Sequence, residues 1–261
     1  MTICIGALCE SRTQVVVLSD RMLTSSDQTL AFEHDEPKID ILFDNCVAVT
    51  AGQATLHQPI FHRCQSEIRE TKPLINDVAE KIKEKYQEAR REFMNDAIFS
   101  MRGLTIDKFY EMQNSLHENT ILELSNAMDI FNFEVDIIVA GVDDFSHLYA
   151  ITNPGVSIPL DSIGFVCIGT GTRHAEVTFA YRKFSTAFSA KKSLYIAFEA
   201  KKRAEMAGGV GQKTDVCLVS KDGCKILKKE IINELEKLYY SLEEKTGYGD
   251  EVDEAIRNLS L

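Results

Sequence analysis

The order of elements along the chain predicts an α+β fold, with two mainly antiparallel sheets sandwiched between layers of helices. Three observations carry this. Strand-like runs come first, at residues 1–8, 14–19, near 37–39 and at 46–50. Apolar residues then recur every three to four positions, at Leu56, Ile60, Phe61, Cys64 and Ile68, and again at Ile75, Val78, Ile82 and Tyr86. That is the spacing of one helix face. The alternation then repeats, with strands at 135–142, 148–151 and 165–168, helices from about Arg173 and Ser189, and a closing strand pair at 216–227. No internal repeat or boundary interrupts this order. Residues 1–261 therefore read as one domain, with a helical insertion at about 92–132 and an acidic tail from about 243.

Each element has its local reason. In the first run, β-branched Thr2, Ile3 and Ile5 favour an extended backbone. The second, with Val15-Val16-Val17-Leu18, is too apolar for a sheet wetted on one side. Residues 24–36 are polar and irregular. Phe43-Asp44-Asn45 supplies turn chemistry before Cys46, and Ala51-Gly52-Gln53-Ala54 ends that strand with small residues that let a backbone approach a ligand. Pro73 suits the first turn of the second helix. In the insertion, Phe93, Phe99, Leu104, Phe109, Tyr110 and Leu116 mark helices broken by Gly103, and their aromatic content predicts a covering partner surface. Asn153-Pro154-Gly155 and Asp222-Gly223 are turns, Ser189 is an N-cap, and Gly208-Gly209 ends its helix. Ile231, Leu235, Leu238 and Leu242 form a last amphipathic helix.

Composition narrows the function. Forty acidic against 29 basic residues give a net charge of −11, which argues against nucleic acid and anionic membranes as partners. The seven cysteines have no paired spacing and read as reduced thiols of a cytoplasmic protein. Glu10 and Arg12 interrupt the start too early for a signal peptide, and no apolar run is long enough to span a bilayer.

Familiar motifs fail one by one. Residues 208–214, Gly-Gly-Val-Gly-Gln-Lys-Thr, suggest a phosphate loop, but no glycine directly precedes Lys213 and the stretch runs from helix to strand. Gly169-Thr170-Gly171 is half a dinucleotide fingerprint, with His174 where the third glycine belongs. His57 and His62 fall off one helix face, and the histidines have no metal-ligand spacing. No Gly-x-Ser-x-Gly elbow occurs. Thr2 remains. With Met1 removed, its α-amino group, of pKa roughly 7.7–8, can take the proton of its own hydroxyl. The same stretch also reads as a buried first strand whose threonine happens to follow a methionine.

Several pieces occur together in one order: Thr2-Ile3-x-x-Gly6, Val17-Leu18-Ser19-Asp20-Arg21, Lys38-Ile39, and Ala51-Gly52-x-Ala54. Val139-Ala140-Gly141-Val142-Asp143, Ile168-Gly169-Thr170-Gly171 and Thr214-Asp215-Val216 follow. In this set the chain resembles the proteasome β-subunit family of N-terminal-nucleophile (Ntn) hydrolases, from Thr2 to about Leu227. The resemblance implies the four-layer αββα sandwich of that family. It implies Thr2 as nucleophile with its own amine as base, Lys38 as the cation beside the hydroxyl, and Asp20 as the acceptor holding Lys38 charged. It implies the Gly52 N–H as oxyanion donor and Thr170, where the family has Ser, as a partner of the amine. Thr50 and Ala54 would flank the specificity pocket with Glu36 and Asp40 near its base, which favours Lys or Arg before the scissile bond. No cofactor or metal is implied.

Two departures stand out. Ala204 and Ala207 occupy the places of a family Asp and Ser, with Glu205 as a candidate stand-in, and the insertion exceeds what a simple β subunit needs. The resemblance implies a homo-oligomeric, proteasome-like threonine peptidase acting on peptides or unfolded protein once Met1 is removed. It leaves open an Ntn acyl transferase or peptide ligase, an inactive scaffold, and whether an ATP-dependent unfoldase feeds the assembly.

Overall fold

The computed structural model describes residues 2–24, 31–53 and 55–246. Strands β1 (Cys4–Cys9) and β2 (Gln14–Asp20) form a hairpin at the centre of one sheet. β10 (Phe165–Ile168), β11 (Thr214–Ser220) and β12 (Gly223–Ile226) complete it in the order β10-β1-β2-β11-β12. A second sheet joins β5 (Ile39–Phe43), β6 (Cys46–Gly52), β7 (Val135–Val142), β8 (Ser146–Thr152) and β9 (Val156–Pro159) in chain order. Every pairing is antiparallel. Together with the α-helices these sheets make an α+β protein, as the sequence predicts.

Period-two alternation divides each central strand between two cores. Val15 and Val17 pack with Cys4, Leu8, Val47, Val49 and Ile138 between the sheets. Val16 and Leu18, with Ile3, Ile5 and Ala7, face helices α5 (Thr172–Tyr181) and α6 (Ala190–Ala204). That is why the run at 15–18 is apolar throughout: both of its faces are covered. Helices α1 (His57–Glu67) and α2 (Ile75–Met94) place Ile60, Phe61, Cys64, Val78, Ile82 and Tyr86 against Cys46, Ala48, Ile137 and Val139 of the second sheet. Ser189 caps α6 as expected, its hydroxyl accepting the Lys192 N–H at 3.4 Å. Helix α7 (Lys229–Thr246) adds Ile232, Leu235 and Tyr239 to the core beneath α6.

Four places differ from the sequence reading. The polar stretch at 24–36 contributes to a small ribbon, β3 (Met22–Thr24) with β4 (Ala31–Glu33). A further strand, β9, follows the Asn153-Pro154-Gly155 turn. Pro73 lies outside the first turn of α2, which begins at Ile75 with Leu74 as its N-cap. The insertion runs through a π-helical turn at Asn95–Phe99, α3 (Ile106–Glu111) and α4 (Glu118–Asp129). It closes on a core of its own: Met94, Phe99, Ile106, Phe109 and Leu124. Phe99 and Phe109, expected to need a covering partner surface, lie inside that core with rings 5.5 Å apart, while Phe93 and Tyr110 remain partly exposed. Of the tail expected from about 243, residues 243–246 continue α7 and the rest lies outside the described residues. Among the described residues no helix is long and apolar enough to cross a membrane, and no cluster of His, Cys, Asp or Glu could hold a metal ion.

Candidate active site

Thr2 precedes β1 and is 2 % exposed. Three bonds from the turn after β10 hold its main chain. Its N–H donates to Thr170 Oγ1 at 3.3 Å, the Thr170 hydroxyl donates to its carbonyl at 3.4 Å, and the Gly171 N–H donates to the same carbonyl at 3.3 Å. Asp20, the last residue of β2, is wholly buried beside it. The Thr2 hydroxyl donates to Asp20 Oδ1. The Ile3 N–H reaches the same oxygen at 3.4 Å, and the Gly211 N–H donates to Oδ2 at 2.7 Å.

Lys38 approaches from the start of β5. Its ammonium donates to Thr2 Oγ1, to Asp20 Oδ1 at 2.7 Å and to the Met22 carbonyl at 2.5 Å. All three protons of the ammonium thus have acceptors. A buried carboxylate and a nearly buried ammonium are tolerable only when each is paired and hydrogen-bonded in this way. The result is a hydroxyl clamped between a cation and an anion, a polarised environment for an oxygen nucleophile.

Gly52 ends β6 at φ +105°, and a Cβ there would lie 1.9 Å from the Glu134 carbonyl oxygen. The Asn45 carbonyl accepts from Val142 and the Glu134 carbonyl accepts from Gln53, so the odd-numbered residues of β6 bond to β7. Ladder alternation turns the Gly52 N–H the other way, past the start of β5. Two residues earlier, the buried Thr50 accepts the Cys4 thiol on its carbonyl at 3.3 Å, which brings the end of β6 beside the start of β1. Cys4 is itself a poor nucleophile, since burial pushes its thiol up to about 12 against the opposing pull of Lys38.

The remaining expected residues are less concentrated. Asp40 accepts from Gln58 Nε2 at 3.3 Å and lies 3.7 Å from His57 Nε2. Burial raises the Asp40 carboxyl and lowers the His57 imidazole from their ordinary values. Glu36 is exposed, with its N–H donating to His34 Nδ1 at 3.0 Å. Ala54 and Met1 lie outside the described residues.

Three contributors were missed by sequence reasoning: the Met22 carbonyl, the Gly211 N–H and Lys201, described below. The first two are backbone groups, which leave no residue-type signature. Gly211 belongs to the glycine-rich 208–214 stretch that resembles a phosphate loop only superficially. Its amide serves a carboxylate of the same chain. No protein-family model matches this chain, and no curated protein does.

Proposed function

We propose that the chain is a proteasome-like threonine peptidase of the Ntn-hydrolase class, with the four-layer αββα arrangement of that class. The observation that carries the reading is the placement of Thr2 Oγ1 between Lys38 Nζ and Asp20 Oδ1. With Met1 removed, the α-amine of Thr2 takes the hydroxyl proton as Oγ attacks a peptide carbonyl carbon. The oxyanion forms toward the Gly52 N–H, and the ammonium returns its proton to the departing amine. An ester to Thr2 remains. The free amine then activates water, which releases the acid and restores the hydroxyl. Thr170 orients the amine throughout.

The same reading assigns a homo-oligomer that screens the nucleophile from folded proteins. It also assigns a reducing cytoplasm, where the cysteines stay unbridged. Asp40 supplies the carboxylate for a Lys or Arg before the scissile bond. A positional peptide library checks that preference, and enrichment of acidic residues would refute it.

Intact-mass measurement before and after incubation with a peptidyl β-lactone tests the nucleophile. One adduct per chain on protein lacking Met1, lost in Thr2→Ala, is the expected result. Labelling that persists in Thr2→Ala would overturn it. Adding a free amine with the peptide substrate distinguishes outcomes further: an amide product in place of the acid identifies an acyl transferase.

A further inference from the structure

A fully buried lysine lies behind Asp20. Lys201 occupies the face of α6 that also buries Ala197, Ala200 and Ala204. Its ammonium donates to Glu205 Oε1 at 2.5 Å and to the Gln212 carbonyl at 2.6 Å. Removing an ammonium from water is costly even after relaxation, and only full pairing offsets it. Burial lowers the Lys201 ammonium from its ordinary value, while Glu205, and more distantly Asp20, oppose that shift.

The Gln212 carbonyl lies one residue beyond the amide that serves the candidate site. Gly211 donates its N–H to Asp20 Oδ2 at 2.7 Å, and Lys213 donates its N–H to Glu33 Oε1 at 2.7 Å. The loop from α6 to β11 is therefore tied to Asp20 on one side and to α6 on the other. Losing the second tie leaves the Gly211 amide less firmly aimed at the carboxylate, with the Lys213–Glu33 bond as the remaining restraint beyond it. We propose that Lys201, held by Glu205, is a positioning residue that clamps the 208–213 loop so that the Gly211 amide orients Asp20 and thereby the Lys38–Thr2 contact. This rests on the reading of Thr2 as nucleophile. Lys202 provides the contrast. It bonds the other oxygen of Glu205 at 2.9 Å and Glu236 of α7 at 3.2 Å, and so ties α6 to α7.

Two measurements on the full chain test the clamp: amide hydrogen exchange across 208–213, and the rate of Thr2 modification by a peptidyl β-lactone. In Lys201→Met, exchange in that segment should rise at least tenfold. The maximal labelling rate should fall at least tenfold with the half-saturating concentration unchanged. Glu236→Gln, which loosens only the Lys202 tie to α7, should alter neither. If Lys201→Met does not fold, Glu205→Gln, which strips the counter-ion, carries the test with the same two readouts. Unchanged exchange overturns the clamp, and faster exchange with an unchanged labelling rate overturns its link to the nucleophile. A parent protein that takes no label at all overturns the nucleophile reading instead, and exchange alone then decides the clamp.

Discussion

At the scale of the residue, the Thr2, Asp20 and Lys38 contacts make distinct demands. Lys38→Met keeps the length of the side chain but removes the cation from Thr2 Oγ1. We expect β-lactone labelling to fall by about 10²-fold or more, the order of effect seen when one preorganised electrostatic partner is lost. Asp20→Asn leaves a nearly buried ammonium without its counter-ion, and urea unfolding should show a loss of about 3–5 kcal/mol. Gly169→Ala probes the backbone alone. Gly169 has φ +102°, and its Cβ would lie 2.3 Å from the Thr2 carbonyl oxygen. That variant should melt earlier and label more slowly, and parent-like behaviour in both would refute the tight Thr2 seat. The ionisable members of this cluster were legible in the sequence only through the family resemblance, since charges at a strand end taken alone read as a structural ion pair or turn. The cradle of Met22 and Gly211 was not, because main-chain donors and acceptors are common to all residue types.

At the scale of the element, the insertion behaves as a separate packing unit. Its buried residues appear in none of the other three cores, although Phe131 touches both this cluster and the one beneath α2. Phe109→Ala should thus remove about 3–5 kcal/mol of packing within the insertion, on the usual scale for buried aromatics. Limited proteolysis should then nick the chain near residues 100–117, while Thr2 labelling stays at the parent rate. Loss of labelling would mean that the insertion supports the site. The aromatic spacing in this segment announced helices correctly but misjudged their cover, since periodicity reports that a face is buried and not by what. β7 and β10 were readable to the residue because both are apolar runs with sharp ends. β9 was not, because a short, largely exposed edge strand ending in Pro159 has neither an apolar run nor a clean alternation.

At the scale of the whole molecule, the thiols give a pH dependence of known sign. Burial holds Cys4, Cys9 and Cys64 up at about 12, from an ordinary 9.0. The folded state favours their neutral forms. Their contribution is complete below pH 9 and is lost as pH rises from 9 toward 12. Melting temperature should therefore fall steadily across that interval and more steeply than in a Cys9→Ala, Cys64→Ala variant. At pH 8 a disulfide-exchange reagent should find one fast thiol, Cys224, in the native protein and seven in urea, because the other six are buried. Light scattering across a concentration series should report more than one chain per particle, and a persistent single-chain mass in active protein would defeat the chamber. The burial of Asp20 has a consequence for synthesis on the ribosome. Its carboxylate is closed in by Thr2 and Ile3 and by Gly211, which lies 191 positions further along the chain than Asp20. A growing polypeptide that has not yet released β11 and the loop before it lacks this enclosure. The proposed chemistry thus stays silent until residue 211 has emerged, and neighbouring nascent chains are spared an unguarded nucleophile.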